Sequence, residues 1–305
     1  MKILVTGGAG FIGSHVAEHY IAAGHSVTVV DNLSMGALMN VPPDARFVEM
    51  DIRSEEFSEF VYSERFDAIN HHAAHMELRV SVDKPVYDAD VNVLGSVRLL
   101  EAARRTNVRH VIVASTAAVL GEFVNIPATE DHPTNPIAPY GASKLAMEVY
   151  ANYYRATHGM QITTLRYTNV YGPRQNPNGE SGVIAIFLEK FLKGQVPTVH
   201  GAGDQERDYL HVSDVARANV AALDAQLQGT FHVCSNSAAS VNSVVDMLRS
   251  AMGKQFTVQH GPPKPGDPLR TRASYSRFAA ATGWQPNINL ADGIRSTAEW
   301  FRAQK

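Results

Sequence analysis

The chain has 305 residues, 45% of them hydrophobic, with a formal net charge of -3, enough for one large α/β domain or a main domain with a smaller partner. No Lys/Arg run is present, which argues against nucleic acid or an anionic membrane as the main partner, and no stretch is long and apolar enough to span a bilayer. The single cysteine, Cys234, excludes an internal disulfide framework and suits a reducing compartment.

In chain order, short β-branched runs at 3–6, 26–31, 46–50, 68–71, 110–115 and 161–167 read as strands. Between them, helical patterns fall at 11–23, 90–106 and 140–157. Strand-helix alternation of this kind implies an α/β fold built on a doubly wound parallel sheet with helices on both faces. The first strand begins at once and leaves no room for a signal peptide, so the cytoplasm is the expected location. After the sixth strand, Gly172-Pro-Arg-Gln-Asn-Pro-Asn-Gly179 is a polar, turn-rich loop. Helices resume at 182–192, 212–225, 241–252 and 290–303, separated by short extended pieces. Residues 1–168, with roughly 208–234, are expected to form a dinucleotide-binding domain, and 169–207 with 235–305 a smaller, mostly helical C-terminal substrate lobe interleaved with it. Cys234 ends an apolar run and is expected to be a buried thiol.

Thr6-Gly-Gly-Ala-Gly-Phe-Ile-Gly13 follows the first strand and opens the first helix. Small residues there let the backbone approach a pyrophosphate, which free amides and the helix dipole stabilise. Strand before, helix after and an acid further on are the confirming context for a Rossmann-type fingerprint. The acid is Asp31. Its carboxylate can accept from the ribose hydroxyls and repels a 2'-phosphate, and the next basic residue is as far off as Arg46, so NAD is expected over NADP.

Tyr140-Gly-Ala-Ser-Lys144 places a phenol and an ammonium one helical turn apart, on one face. Lys144 beside Tyr140 would favour the phenolate, which can take a proton from a hydroxyl as a neutral phenol cannot. Taken alone, such a pair is as readily a chance surface contact. Ser115 and Thr116 end the fifth strand where the sheet's carboxyl edge meets the cofactor, and Thr116 can bond a substrate oxygen; alone, the two hydroxyls equally suit a turn or helix cap.

With these motifs the chain resembles the extended short-chain dehydrogenase/reductases, and within them the UDP-glucose 4-epimerase-like group of NAD-dependent epimerases and dehydratases. The likeness runs over nearly the whole chain, through Asp31-Asn32, Asp51-Ile52, His71-His-Ala-Ala74, Lys84-Pro85, Asn92-Val-Leu-Gly95, 116–121, 140–144, 165–172 and 207–211. It implies Tyr140, Lys144 and Thr116 as catalytic residues. For NAD it implies Gly7, Gly10, Phe11, Ile12, Gly13, Asp31 and Asn32, with Asp51 and Ile52 flanking the adenine. His72, Ala73 and Ala74 would line the dinucleotide path, Lys84 would face the pyrophosphate, Asn92 would support the region, and Ser115 and Tyr167 would lie near the nicotinamide. On the substrate side it implies Asn169 near the sugar, Arg207 on the diphosphate, Val183, Thr198 and His200 around the uracil, and Lys264, Asp267 and Thr271 nearby. His200 either stacks on the base or is a surface histidine.

Dehydratases of this group carry an Asp-Glu pair after the catalytic Thr, and decarboxylases of UDP-glucuronate a nearby Glu. Here Ala117 and Ala118 follow, so 4-epimerisation of UDP-glucose and UDP-galactose is the implied reaction, and the small Thr271 suggests room for N-acetyl sugars. The alternatives are a UDP-glucuronate epimerase, a keto-sugar reductase or a non-catalytic NAD sensor. Departures from the family pattern fall at Lys264 for Arg, Leu120 for Tyr, His75 for Gln and Ser274 for Asp, and bear on substrate choice. No metal is expected. A homodimer is, through helices 92–106 and 140–157, although Val97, Leu100, Leu145 and Val149 equally suit an internal core.

Overall fold

The computed structural model describes residues 1–178, 182–263 and 268–304. In chain order the elements are β1 (Lys2–Thr6), α1 (Phe11–Ala22), β2 (Ser26–Asp31), β3 (Arg46–Glu49), α2 (Glu55–Glu64), β4 (Ala68–His71), α3 (Leu78–Asp83), α4 (Pro85–Ala89), α5 (Ser96–Arg105), β5 (His110–Thr116), α6 (Pro139–His158), β6 (Ile162–Tyr167) and β7 (Asn169–Tyr171). They continue as α7 (Val183–Leu192), β8 (Thr198–His200), β9 (Glu206–His211), α8 (Val212–Asp224), β10 (Gly229–Val233), β11 (Ala238–Ser240), α9 (Val241–Met252), β12 (Gln259–Gly261), α10 (Ser276–Thr282) and α11 (Leu290–Ala303).

Seven strands form a parallel sheet in the order β10-β6-β5-β4-β1-β2-β3. The strand order switches between β1 and β4, where a doubly wound sheet opens a crevice at its carboxyl edge. The register fixes what stands at that edge: Thr6 is opposite both Val30 and His71, and Thr116 is opposite Tyr167. Alternation along β1 supplies both faces of the core. Ile3 and Val5 pack with residues of α1 and α8, whereas Leu4 packs with residues of α2, α5 and α6. A third core, around Tyr171, joins α7, α9 and α11 to β8 and β9, under a three-stranded sheet β11-β9-β7 and a pair β12-β8. Of residues 208–234, α8 packs on α1 and β10 extends the central sheet, while β9 belongs to the three-stranded sheet.

Two local departures bear on the site. The helix expected over 90–106 starts as a π-helical turn, Asp90–Gly95, before α5, and such turns are frequent at functional sites because they displace a side chain from the regular spiral. The chain between β4 and that turn also folds into α3 and α4, with Pro85 opening α4, where its missing N–H costs nothing. Cys234 is buried. Among the described residues no helix is long and apolar enough to cross a membrane.

Candidate active site

A cleft of about 940 Å³ runs along the sheet's carboxyl edge. Its floor is the turn after β1. Gly7 has φ +70°, and a Cβ there would stand 2.6 Å from the backbone nitrogen of Ala73, so only glycine lets this turn press against the His72–Ala74 segment. A Cβ on Gly13 would strike the Gly7 carbonyl. Gly10 caps α1, and Gly7, Gly10, Phe11, Ile12 and Gly13 all line the cleft. The first-turn amides of α1 have no helical acceptor, an arrangement that favours an anion at a helix N-terminus.

Asp31 ends β2 with its buried carboxylate accepting from Ala9 N at 3.0 Å and Leu33 N at 2.8 Å. Burial pushes its pKa up, and those two amide bonds pull it back. Next along the wall stand Asn32, Asp51 and Ile52. Arg53 grips Asp51 with two side-chain nitrogens, at 3.0 and 2.8 Å, and with its backbone N–H at 2.8 Å, and Asn32 Nδ2 adds a further bond at 2.9 Å. These bonds, Arg53's foremost and against the effect of burial, hold the Asp51 carboxyl down to about 2. His72, Ala73, Ala74 and the exposed Lys84 complete this side. Asn92 does not line the cleft; it is buried behind, bonding both backbone polar groups of His75 at 2.8 and 2.9 Å.

At the other end, Tyr140 and Lys144 project from the first turns of α6 into the same cleft, beside Ser115 and Tyr167. The helix start is fixed by Pro139 and by Tyr140 N donating to Ser81 Oγ at 3.2 Å. Thr116 borders this end of the cleft without lining it; its hydroxyl accepts from Ala118 N at 3.1 Å and is near enough to the Tyr140 phenol to act on its ionisation. Lys144, expected to lower the phenol's pKa, is not what dominates it. Burial pushes Tyr140 up to about 12, the negative charge of Asp88 adds to this, and the Thr116 hydroxyl opposes it. Burial draws Lys144 down to about 8 against the raising effect of Glu148 and Asp88. Burial also takes His71 and His72 down to about 3, with the Lys144 charge adding, so both imidazoles are neutral near neutral pH. His72 stacks on Tyr167 at 5.9 Å and meets its hydroxyl at 3.3 Å.

Most of the expected substrate residues stand apart from this cleft. Asn169 is exposed at the start of β7, and Val183 opens α7. Thr198 and His200 bracket β8, where Thr198 Oγ1 accepts from Gln259 Nε2 at 2.8 Å and His200 Nδ1 lies 3.2 Å from Pro262 O. Arg207, on β9, donates to Glu206 O at 2.8 Å. Thr271 is drawn to the same strand by its amide's bond to Glu206 O at 3.1 Å. Lys264 and Asp267 lie outside the described residues. Of the departures, Leu120 is core, His75 lines the cleft and Ser274 Oγ is 2.9 Å from Ser276 Oγ. The cleft wall also takes in residues that the sequence pattern did not single out: Met35, Met39 and Asn40 after β2, Arg174 to Asn178 after β7, and Lys193 and Trp300 at the ends of α7 and α11.

A sequence model of the NAD dependent epimerase/dehydratase family matches residues 3–234. The UDP-glucose 4-epimerase of Mycolicibacterium smegmatis is 40% identical over 309 residues, covering 99% of each chain. The crystal structure of the Thermotoga maritima UDP-glucose 4-epimerase with UDP-glucose superposes with a TM-score of 0.96 at 39% identity, covering 100% of this chain and 99% of that one. The Thermus thermophilus UDP-glucose 4-epimerase in complex with NAD gives 0.94 at 42% identity, covering 99% of both. With a fingerprint turn that only glycine can make, leading along one cleft to Tyr140 and Lys144, this chain belongs to the NAD dependent epimerase/dehydratase family.

Proposed function

We propose that the protein interconverts UDP-glucose and UDP-galactose by transient oxidation at carbon 4 with bound NAD. The observation that carries this reading is the meeting of Tyr140, Lys144 and Thr116 at one end of the groove that begins at Gly7 and Asp31, with no carboxylate at Ala117 or Ala118. NAD fits this groove: the glycine turn leaves the room a pyrophosphate needs, and Asp31 stands where a ribose would lie. Bound NAD supplies the hydride acceptor and the hydride donor. Tyr140 takes the proton from the hydroxyl at carbon 4 and later returns it, with Thr116 holding the phenol oxygen. Because the phenol is pushed up to about 12, Tyr140 keeps its proton until a positive charge is brought beside it, which couples proton removal to cofactor binding. The keto-sugar then presents its other face, so the returned hydride inverts carbon 4.

In this reading Arg207 binds the diphosphate, helped by Lys264. Val183, Thr198 and His200 frame the uracil, Asn169 meets the sugar, and Thr271 with Asp267 borders it. Thr271 is small enough to admit N-acetyl sugars, a point lost if UDP-N-acetylglucosamine does not react where UDP-glucose does. We further infer a cytoplasmic homodimer. Val86, Leu94 and Val149 are 81%, 62% and 62% exposed on the α4, α5 and α6 side of the molecule, an apolar surface that a second copy would cover, whereas Leu100 is internal core.

The test is incubation with UDP-galactose without added reductant, followed by chromatography of the sugar nucleotides and absorbance of reduced nicotinamide. Conversion to UDP-glucose with no net NADH is expected. Stoichiometric use of NADH would instead make the protein a reductase, and NAD binding without any conversion would overturn the epimerase reading.

A further inference from the structure

Behind α6 lies a buried carboxylate that the proposed reaction does not use. Asp88, on α4, is 1% exposed. Its Oδ1 faces His75 Nδ1 at 3.3 Å and accepts from Asn92 Nδ2 at 3.1 Å, while its Oδ2 has no hydrogen-bond partner among the described residues. Buried carboxylates normally have both oxygens satisfied, and an orphan acceptor calls for an explanation. The surroundings connect directly to the catalytic helix. Asn92 Nδ2 also donates to Ser143 Oγ at 3.1 Å, and that hydroxyl donates to Tyr140 O at 3.0 Å. His75 stands on the cleft wall with its ring edge-on to Tyr87, 5.3 Å between centroids.

We propose that Asp88 is a positioning residue for the Tyr140–Lys144 couple, tied to α6 through Asn92 and Ser143, its buried negative charge favouring the Lys144 ammonium and opposing a second negative charge on Tyr140, with His75 screening it from the cleft. This rests on Tyr140 being the base. The charged and titratable groups facing Asp88 are Tyr140 and Lys144 from α6 and His75 from the segment after β4. Glu148, one turn further along α6, acts on Lys144 as well, and Lys84 precedes α4 at the exposed rim of the cleft. After burial, Asp88 is the next cause raising Tyr140, and with Glu148 it supports the charge on Lys144. Both effects have one sign. Removing the charge therefore moves both ionisations to lower pH, which a loss of packing alone does not do.

Asp88→Asn is close to isosteric: its oxygen can keep the bonds from His75 and Asn92 while the amide takes the place of the orphan oxygen. Asp88→Ser removes the same charge in a smaller volume and serves if the amide is not tolerated. The measurement is kcat against pH on UDP-galactose for the NAD-bound wild type and both variants, with Tyr140→Phe as control and thermal melting to establish folding. The expected result is that the acid limb, where the phenol ionises, and the alkaline limb, where the ammonium is lost, both move down by about one pH unit. Limbs coincident with wild type, whatever the drop in kcat, overturn the proposal in any folded variant. Normal turnover by Tyr140→Phe would instead remove Tyr140 as base, a failure of the underlying reading that this control separates from a failure of Asp88.

Discussion

Glu148 and Arg166 form an ion pair in which each side chain is only 7% exposed, with Arg166 Nη2 2.7 Å from Glu148 Oε2. Ser115 Oγ, on the cleft wall, donates to the same carboxylate at 2.5 Å. The pair thus bolts α6, one turn beyond Lys144, to β5 and β6. Removing one partner leaves a buried charge uncompensated, at about 3–5 kcal/mol. Glu148→Ala is expected to lose stability on that scale in urea unfolding, and Glu148→Gln, which keeps an acceptor for Arg166, less. A loss below about 1 kcal/mol for the alanine variant would mean that Arg166 readily finds water.

The turn after β1 makes a prediction with an internal control. Gly7→Ala places a Cβ 2.6 Å from Ala73 N at φ +70°, whereas Gly24→Ala has a comparable φ of +83° and nothing within 4 Å. Both variants carry the left-handed strain of about 1–2 kcal/mol. Only Gly7→Ala must also push the backbone wall of the cleft away, so NAD affinity should fall at least about tenfold there, about 1.4 kcal/mol, and stay unchanged in Gly24→Ala. Equal NAD affinity in the two variants, by calorimetric titration, would show that the turn has room to relax.

The cofactor half of the site was legible because its signals are local. A glycine turn, a strand-ending Asp31 and an i,i+4 Tyr-Lys pair each lie within one or two elements, and parallel pairing carries them to one edge. The helix α2 was not anticipated: only Phe57 and Val61 on it are buried, too thin a stripe for periodicity, although Ser54 accepting from Phe57 N is an ordinary N-cap. Asp88 and Glu148 belong to no motif in the sequence. What makes them matter is burial beside Lys144, a property of packed elements distant in the chain. The described residues expected on the substrate side fall mostly on short strands and the start of α7, none with a spacing rule of its own.

In the proposed function Asp31 links cofactor choice to stability. Its two oxygens accept from the Ala9 and Leu33 amides, and its carboxylate lines the cleft, where the proposed binding of NAD sets it against a 2'-phosphate. Asp31→Asn removes the charge and turns an amide NH2 toward one backbone N–H. The preference for NAD over NADP should narrow by about tenfold, roughly 1.4 kcal/mol, and stability should fall by about 1–3 kcal/mol. Competitive binding of the two dinucleotides measures the first and urea unfolding the second. An unchanged preference alongside the stability loss would assign Asp31 to the loop alone.

Buried histidines set the acid limit of the fold. Burial, the largest cause in each case, takes His71 and His72 down to about 3 and His15, His110 and His232 to about 4. In the unfolded chain each titrates near the ordinary value of about 6.5. Between about pH 6.5 and 4 the unfolded state therefore binds more protons than the native state, so stability falls as pH falls. The slope reaches about 1.4 kcal/mol per pH unit for each histidine. Above about pH 7.5 both states hold these groups neutral and the dependence vanishes. Urea unfolding at pH 8, 7.5 and 5 should give similar values for the first two and a marked loss at the third. His110 is remote from the cleft, its Nε2 2.8 Å from Thr163 Oγ1, so His110→Gln should flatten the acid slope while leaving NAD affinity as it was. An equally steep loss in that variant would mean that His110 is protonated in the folded protein as readily as in the unfolded one.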